Sequence, residues 1–337
     1  MSLLFDPFDV RGVTLRNRIV VSPMCMYSSP ADGSVTDWHR VHLPSRAVGG
    51  AGLVFTEATA VTSQGRISTA DLGIWDDGHV DGLADIVRMI HAAGAAAGIQ
   101  LGHAGAKADV PEGAVAPTDA PLLGHPRPTA LTADGIAEVV AAFAAAAGRA
   151  RAAGFDVVEL HGAHGYLLNQ FLSPLTNTRE DEFGGDERRR ARVLLDVVDA
   201  VRAVWDGPLF TRLSADEYAA GANRIEDSVA TARLLGKAGV DLVDASSGGI
   251  TAQAPEVFPG YQTPLAARIR AEAGVATGAV GMIDTPELAE FVLRSGQADL
   301  IILGREMLRD PYWPRRAAAA LGDTDRLAVP EQYRRAW

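Results

Sequence analysis

Residues 156–174, DVVELHGAHGYLLNQFLSP, begin as a strand and end as chemistry. Val157 and Val158 are β-branched and, with Leu160, give the apolar character of a strand interior. His161, His164 and Tyr166 follow at its carboxyl end, spaced by Gly162 and Gly165. Positions i and i+2 of a strand share a face, so histidines three apart meet only if the second lies beyond the strand end. The two glycines permit that turn, which brings both imidazoles and the phenol to one mouth.

The same unit recurs along the chain. Strand-like runs occupy 18–24, 52–61, 96–105, 156–164, 208–217, 240–249, 276–283 and 299–308. Helical periodicity separates them, for example near 37–50, 79–94, 134–153, 187–205 and 225–238. A Pro-rich loop at 111–128 is the main interruption. Alternation with short connections demands parallel strands and right-handed crossovers. Eight such units predict a closed (β/α)8 TIM barrel as one domain over residues 1–337, with FDPFDVRGVTLRNR as a short N-terminal hairpin. Glycines in AAG, KAG and EAG stand where helix C-caps belong. A doubly wound sheet is the competitor, but no early G-x-G-x-x-G follows a strand.

Composition narrows the function. Of 337 residues, 47% are hydrophobic and 22% charged, the balance of a soluble globular protein. A net charge of −11 lacks the electrostatic footprint of a nucleic-acid binder. No apolar run is long enough to span a bilayer, and the N-terminus has no signal-peptide pattern, so the cytoplasm is the expected location. The single cysteine, Cys25, excludes internal disulfides, iron–sulfur clusters and Cys-rich zinc sites. Lysine occurs only at Lys107 and Lys237, which makes the place of Lys107 at the third strand end worth following.

Chemistry in such barrels sits at the carboxyl ends of the strands. Those ends carry Cys25 and Tyr27; Glu57 and Thr59; Gln100, His103 and Lys107; the His161–His164–Tyr166 group; Arg212 and Asp216; Ser246 and Ser247; Gly281; and Gly304 with Arg305. The glycine-bearing ends of the last three strands suit an anion, with Arg305 as its partner. Read as metal ligands, His161 and His164 would need additions such as His103 and Asp216, giving a metal-dependent hydrolase as the alternative.

SPMCMYSS, EATAV with QGRIS, IQLGHAG, FDVVELHGAHGYLLNQFLSP with NTREDEFGG, VFPGYQ, GAVGMI and LGREMLRDP together resemble the Old Yellow Enzyme family. The chain is most similar to its bacterial thermophilic-like branch of FMN-dependent NADPH dehydrogenases and ene reductases, from about Phe5 to Trp337. The resemblance implies non-covalent FMN in the barrel mouth, NADPH as hydride donor, small activated alkenes as substrates, and no metal. It assigns Ser22, Pro23, Met24, Cys25 and Ala58 to the isoalloxazine. Gln100 and Arg212 would contact ring heteroatoms, and the segments bearing Gly281, Gly304 and Arg305 would bind the phosphate. His161 and His164 would hold the substrate carbonyl, Tyr166 would donate the proton, and Tyr27 would close the pocket. The branch also implies a homodimer or homotetramer whose C-terminal arm, YRRAW, carries Arg335 into a neighbouring subunit with Trp337 as anchor. Ala106 stands where the family often has arginine, so any role of an arginine there is absent.

Overall fold

The computed structural model describes residues 1–336. Eight parallel strands close into a barrel: β1 (Ile19–Val21), β2 (Leu53–Ala60), β3 (Ala96–Gly102), β4 (Val157–Gly162), β5 (Leu209–Ser214), β6 (Leu242–Ser246), β7 (Ala276–Ala279) and β8 (Leu300–Leu303). β8 completes the ring against β1, with Ile301 opposite Ile19 and Leu303 opposite Val21. The crossover helices are α1 (Asp37–Gly49), α2 (Val80–Ala92), α3 (Ala133–Ala153), α4 (Arg192–Arg202), α5 (Ile225–Ala238), α6 (Thr263–Ala273), α7 (Pro286–Arg294) and α8 (Trp313–Leu321). This is the TIM barrel that the alternation predicts.

Local chemistry explains the boundaries. Thr132 accepts from the Gly135 N–H at the start of α3, and Gly154 ends it in the left-handed region at φ 86°. The helix predicted over 187–205 is broken instead. Glu187–Arg190 forms its own turn with no buried residue, because four successive charged side chains offer no apolar face to the barrel. In the loop after β3, Val115–Ala116 pairs with Thr129–Ala130.

Burial of both strand faces hides the alternation in β4. Val157 packs inside the barrel with Leu53, Phe210, Leu242 and Leu300, whereas Val158 and Leu160 join the surrounding strand–helix core. All three lie within the strand as expected, and the face inside the barrel reads Val157, Glu159, His161. The predicted hairpin forms between Phe8–Val10 and Val13–Leu15, and Val10 and Leu15 join the cluster inside the barrel. It plugs the amino-terminal end with apolar side chains, leaving polar ones to the other end.

The C-terminal arm lies at that amino-terminal end. Val329 to Tyr333 line a cavity with Arg16, Ala93 and Gly94, residues that precede β1 and β3. The Tyr333 ring sits 6.2 Å from that of Tyr312. Arg335 is exposed, and Trp337 lies outside the described residues. No helix among the described residues is long and apolar enough to cross a membrane.

Candidate active site

The turn after β4 gathers the predicted side chains. His164 adopts φ 59°, a left-handed conformation costly for a residue with a Cβ. Three contacts hold it there: its N–H donates to Ser214 Oγ (2.9 Å), its Nε2 meets Ser246 Oγ (2.7 Å), and its carbonyl accepts from Lys107 Nζ (2.7 Å). The His161 and His164 rings meet edge to face at 5.3 Å, and the Tyr166 ring lies 4.9 Å from His161. Burial drives both imidazoles towards the neutral form, with Arg212 and Lys107 acting in the same direction; His164 is lowered to about 3. Burial pushes the Tyr166 phenol up, so it keeps its proton at neutral pH. The site presents two neutral imidazoles beside one protonated phenol.

Below them lies a polar floor inside the barrel. Strand register sets His161 beside Arg212 and Arg212 beside Asp244. Arg212 Nε donates to Asp244 Oδ2 (2.6 Å), and Nη2 donates to Ser22 Oγ (2.9 Å). Its Nη1 makes no hydrogen bond among the described residues. Gln100 Nε2 donates to Glu159 Oε1 at 2.7 Å.

The β1 loop forms one wall. Cys25 interacts with the Ala58 backbone and the Tyr27 side chain, and burial followed by the charges of Glu57 and Asp71 pushes its thiol up to about 12. Ser22 N–H donates to the Leu303 carbonyl, and Ser22 and Met24 lie against Gly304. Pro23 is buried between them in sequence, while Tyr27 is exposed at φ 50°. Glu57 secures the loop by accepting from Met26 N–H (3.1 Å) and pairing with buried His39 (3.0 Å). A cavity of about 430 Å³ runs from His164, Arg212 and Ser246 to Gly281, Gly304 and the exposed Arg305. That volume suits a small organic ligand or cofactor.

Comparison with known proteins matches residues 3–324 to the family described as NADH:flavin oxidoreductase / NADH oxidase. The chain belongs to that family. It is an oxidoreductase of the Old Yellow Enzyme type. It is 52% identical over 338 aligned positions to a protein named NADPH dehydrogenase from Geobacillus sp. (strain WCH70), covering 100% of this chain and 99% of the relative. An NADPH dehydrogenase from Halalkalibacterium halodurans is also 52% identical, over 99% of this chain and 98% of the relative. Among solved structures, the Old Yellow Enzyme homologue from Zymomonas mobilis superposes with TM-score 0.82 at 28% identity, over 94% of this chain and 92% of that one. Morphinone reductase gives TM-score 0.81 at 29% identity, over 95% and 90%.

Several contributors to this flavin-family site are not apparent from their position in sequence. His39, in α1, has no strand-end signal, yet it braces Glu57 beneath the β1 loop. Glu159 and Asp244 did leave a trace, as lone carboxylates within apolar strands. Gln262 donates to the Val280 carbonyl (3.0 Å) and shapes the approach to Gly281. The ligands that a hydrolase would recruit are engaged locally: His103 Nδ1 accepts from Gly105 N–H (3.1 Å) and Asp216 from Tyr218 N–H (2.8 Å). Among the described residues, no group of three or more His, Cys, Asp or Glu is placed to hold a metal ion.

Proposed function

We propose that this oxidoreductase, with FMN as cofactor and NADPH as electron donor, is an ene reductase for α,β-unsaturated carbonyls and related activated alkenes. The observation that carries the reading is the convergence of neutral His161, neutral His164 and protonated Tyr166 at one strand end. The residues present fit the cofactor. Arg212, whose Nε and Nη2 are engaged while Nη1 makes no hydrogen bond among the described residues, lines a cavity whose far end holds Gly281, Gly304 and Arg305. Gln100 and Arg212 would hold the ring heteroatoms, with Ser22, Pro23, Met24, Cys25 and Ala58 along the isoalloxazine. Gly304 and Arg305 would take the phosphate.

Bound FMN supplies hydride. As hydride adds to Cβ, negative charge builds on the carbonyl oxygen, where the two imidazoles donate hydrogen bonds. Donors fixed in a low-dielectric site contribute most where charge develops, about 2–4 kcal/mol each by analogy with oxyanion holes. Neutral imidazoles suit this role because each retains an N–H and brings no charge that would bind a resting anion. Tyr166 then gives its proton to Cα as a general acid. Tyr27, exposed at the rim, closes over the substrate.

The assembly completes the site. Arg335 lies in an arm whose preceding residues line the amino-terminal end of its own barrel, opposite the clamp. In this reading it serves a neighbouring copy, in a homodimer or homotetramer. The test of the function is anaerobic: NADPH should bleach the flavin of the purified protein, and 2-cyclohexenone should restore it. A reduced flavin that the enone leaves bleached while oxygen restores it would refute ene reduction.

A further inference from the structure

Two carboxylates and one guanidinium share the barrel interior beneath the clamp, and the guanidinium is committed to one of them. Arg212 Nε and Nη2 both reach Asp244 Oδ2, and Nη2 also donates to Ser22. Glu159 Oε1 lies 4.0 Å from Arg212 Nε and accepts its hydrogen bond from Gln100 Nε2 instead, at 2.7 Å. Glu159 is 0% exposed, and its Oε2 has no partner among the described residues. The groups that face it are Gln100 from β3, Arg212 from β5, Asp244 from β6 and neutral His161 on its own strand.

An ionised Glu159 would place a second negative charge in this buried space, with the nearest cation, Arg212, already committed to Asp244. Asp244 would repel it, and Oε2 would carry charge with no donor among the described residues. A proton removes that charge and leaves Oε1 as the acceptor for Gln100; the orphaned oxygen is then a neutral polar group, which costs far less to bury than a charged one.

We propose that Glu159 is a neutral carboxylic acid in the folded enzyme and a positioning residue: it holds the Gln100 amide while keeping the floor beneath the flavin free of net negative charge. Burial, and then the Asp244 charge, raise its pKa above the ordinary carboxylate range. The role rests on the reading above, in which Gln100 and Arg212 contact FMN. Its consequence is electrostatic. Reduction adds electron density to the flavin, and an anion fixed beneath it would oppose that uptake.

Three measurements on the full-length protein test this. Infrared difference spectra of flavin-free wild type against E159Q at neutral pH should contain the C=O stretch of a protonated carboxyl group in the wild type alone. The flavin midpoint potential of FMN-loaded E159Q should match that of the wild type, because one neutral acceptor replaces another. FMN affinity should fall about tenfold in E159L through loss of the Gln100 hydrogen bond, while E159Q retains it. A midpoint potential that rises in E159Q, or a spectrum without the band, overturns the proposal. Should E159L fail to fold, the other two measurements still decide it. If the wild type bound no FMN yet showed the band, the flavin reading and the positioning role would fall while the protonated Glu159 stood.

Discussion

Tyr166 keeps its proton because burial disfavours the phenolate, and the nearby Cys25, Tyr27 and Asp71 groups act in the same direction. A phenol held neutral at working pH is a donor rather than a base. Tyr166→Phe should slow re-oxidation of the reduced flavin by 2-cyclohexenone by roughly 10²–10⁴-fold, the usual contribution of a positioned general acid. Flavin reduction by NADPH should be preserved, and stopped-flow traces of the two half-reactions separate these effects. Cys25 is likewise neutral, with its thiol pushed up to about 12. Cys25→Ala therefore removes a weak S–H dipole, not a charge. It should shift the flavin midpoint potential in a spectroelectrochemical titration without loss of folding. An unmoved potential would return Cys25 to the role of a small apolar filler.

The loops after β3, β4 and β6 act as one element because a single ammonium ties them together. Lys107 Nζ donates to the carbonyls of His164 (2.7 Å) and Gly249 (2.5 Å) and lies 5.3 Å from the centre of the Tyr166 ring. The strap holds His164 in its left-handed conformation from the carbonyl side. Gly165 tightens the same contact: a Cβ there would sit 2.5 Å from the Gly249 oxygen. Lys107→Met should leave the barrel folded but loosen the clamp. Affinity for phenols, which mimic the enolate and give a long-wavelength charge-transfer band with oxidised flavin, should fall about tenfold, the effect of one lost charge-assisted hydrogen bond. Unchanged affinity in that titration would remove Lys107 from the clamp's support.

At the scale of the whole molecule, acid stability follows from histidines buried in neutral form. Burial lowers His42 and His103 to about 4, and His164 lies lower still. Each would titrate near 6.5 in the unfolded chain, so the unfolded state binds the extra protons as pH falls. Their stabilisation is complete above about pH 6.5 and is lost as the medium is acidified towards the folded values. His103→Gln should consequently gain on the wild type by about 2 kcal/mol between pH 7 and pH 4.5, whatever its cost at pH 7. Urea titrations at the two pH values measure this gain. The arm belongs to the same scale. Deleting residues 333–337 should raise the substrate KM. Mixing that variant with full-length Tyr166→Phe should restore the normal KM in some sites, since each can supply what the other lacks. A truncated protein that reduced cyclohexenone like its parent would exclude a shared site.

Much of the architecture was legible because it is local. Eight β-then-α alternations, the hairpin signal and the caps Gly154 and Gly239 all reside in short windows of sequence. So did the strand-end histidines and Tyr166, since a turn beyond Gly162 was the one way to bring residues three apart to a single mouth. Facing was not legible in β4. With both faces of a parallel strand buried, Val157, Val158 and Leu160 are equally apolar, and nothing in the residues says which look inward. Cross-strand neighbours were also beyond reach, because the register that sets His161 beside Arg212 and Arg212 beside Asp244 belongs to pairs of strands rather than to either one. Sequence alone thus determined the barrel and the gathering of His161, His164 and Tyr166 at one strand end. Only tertiary structure decided that Glu159 lies beneath that group with its nearest cation, Arg212, committed to Asp244, that Lys107 ties three loops, and that the arm lies at the opposite end, because each depends on contacts between residues distant in the chain.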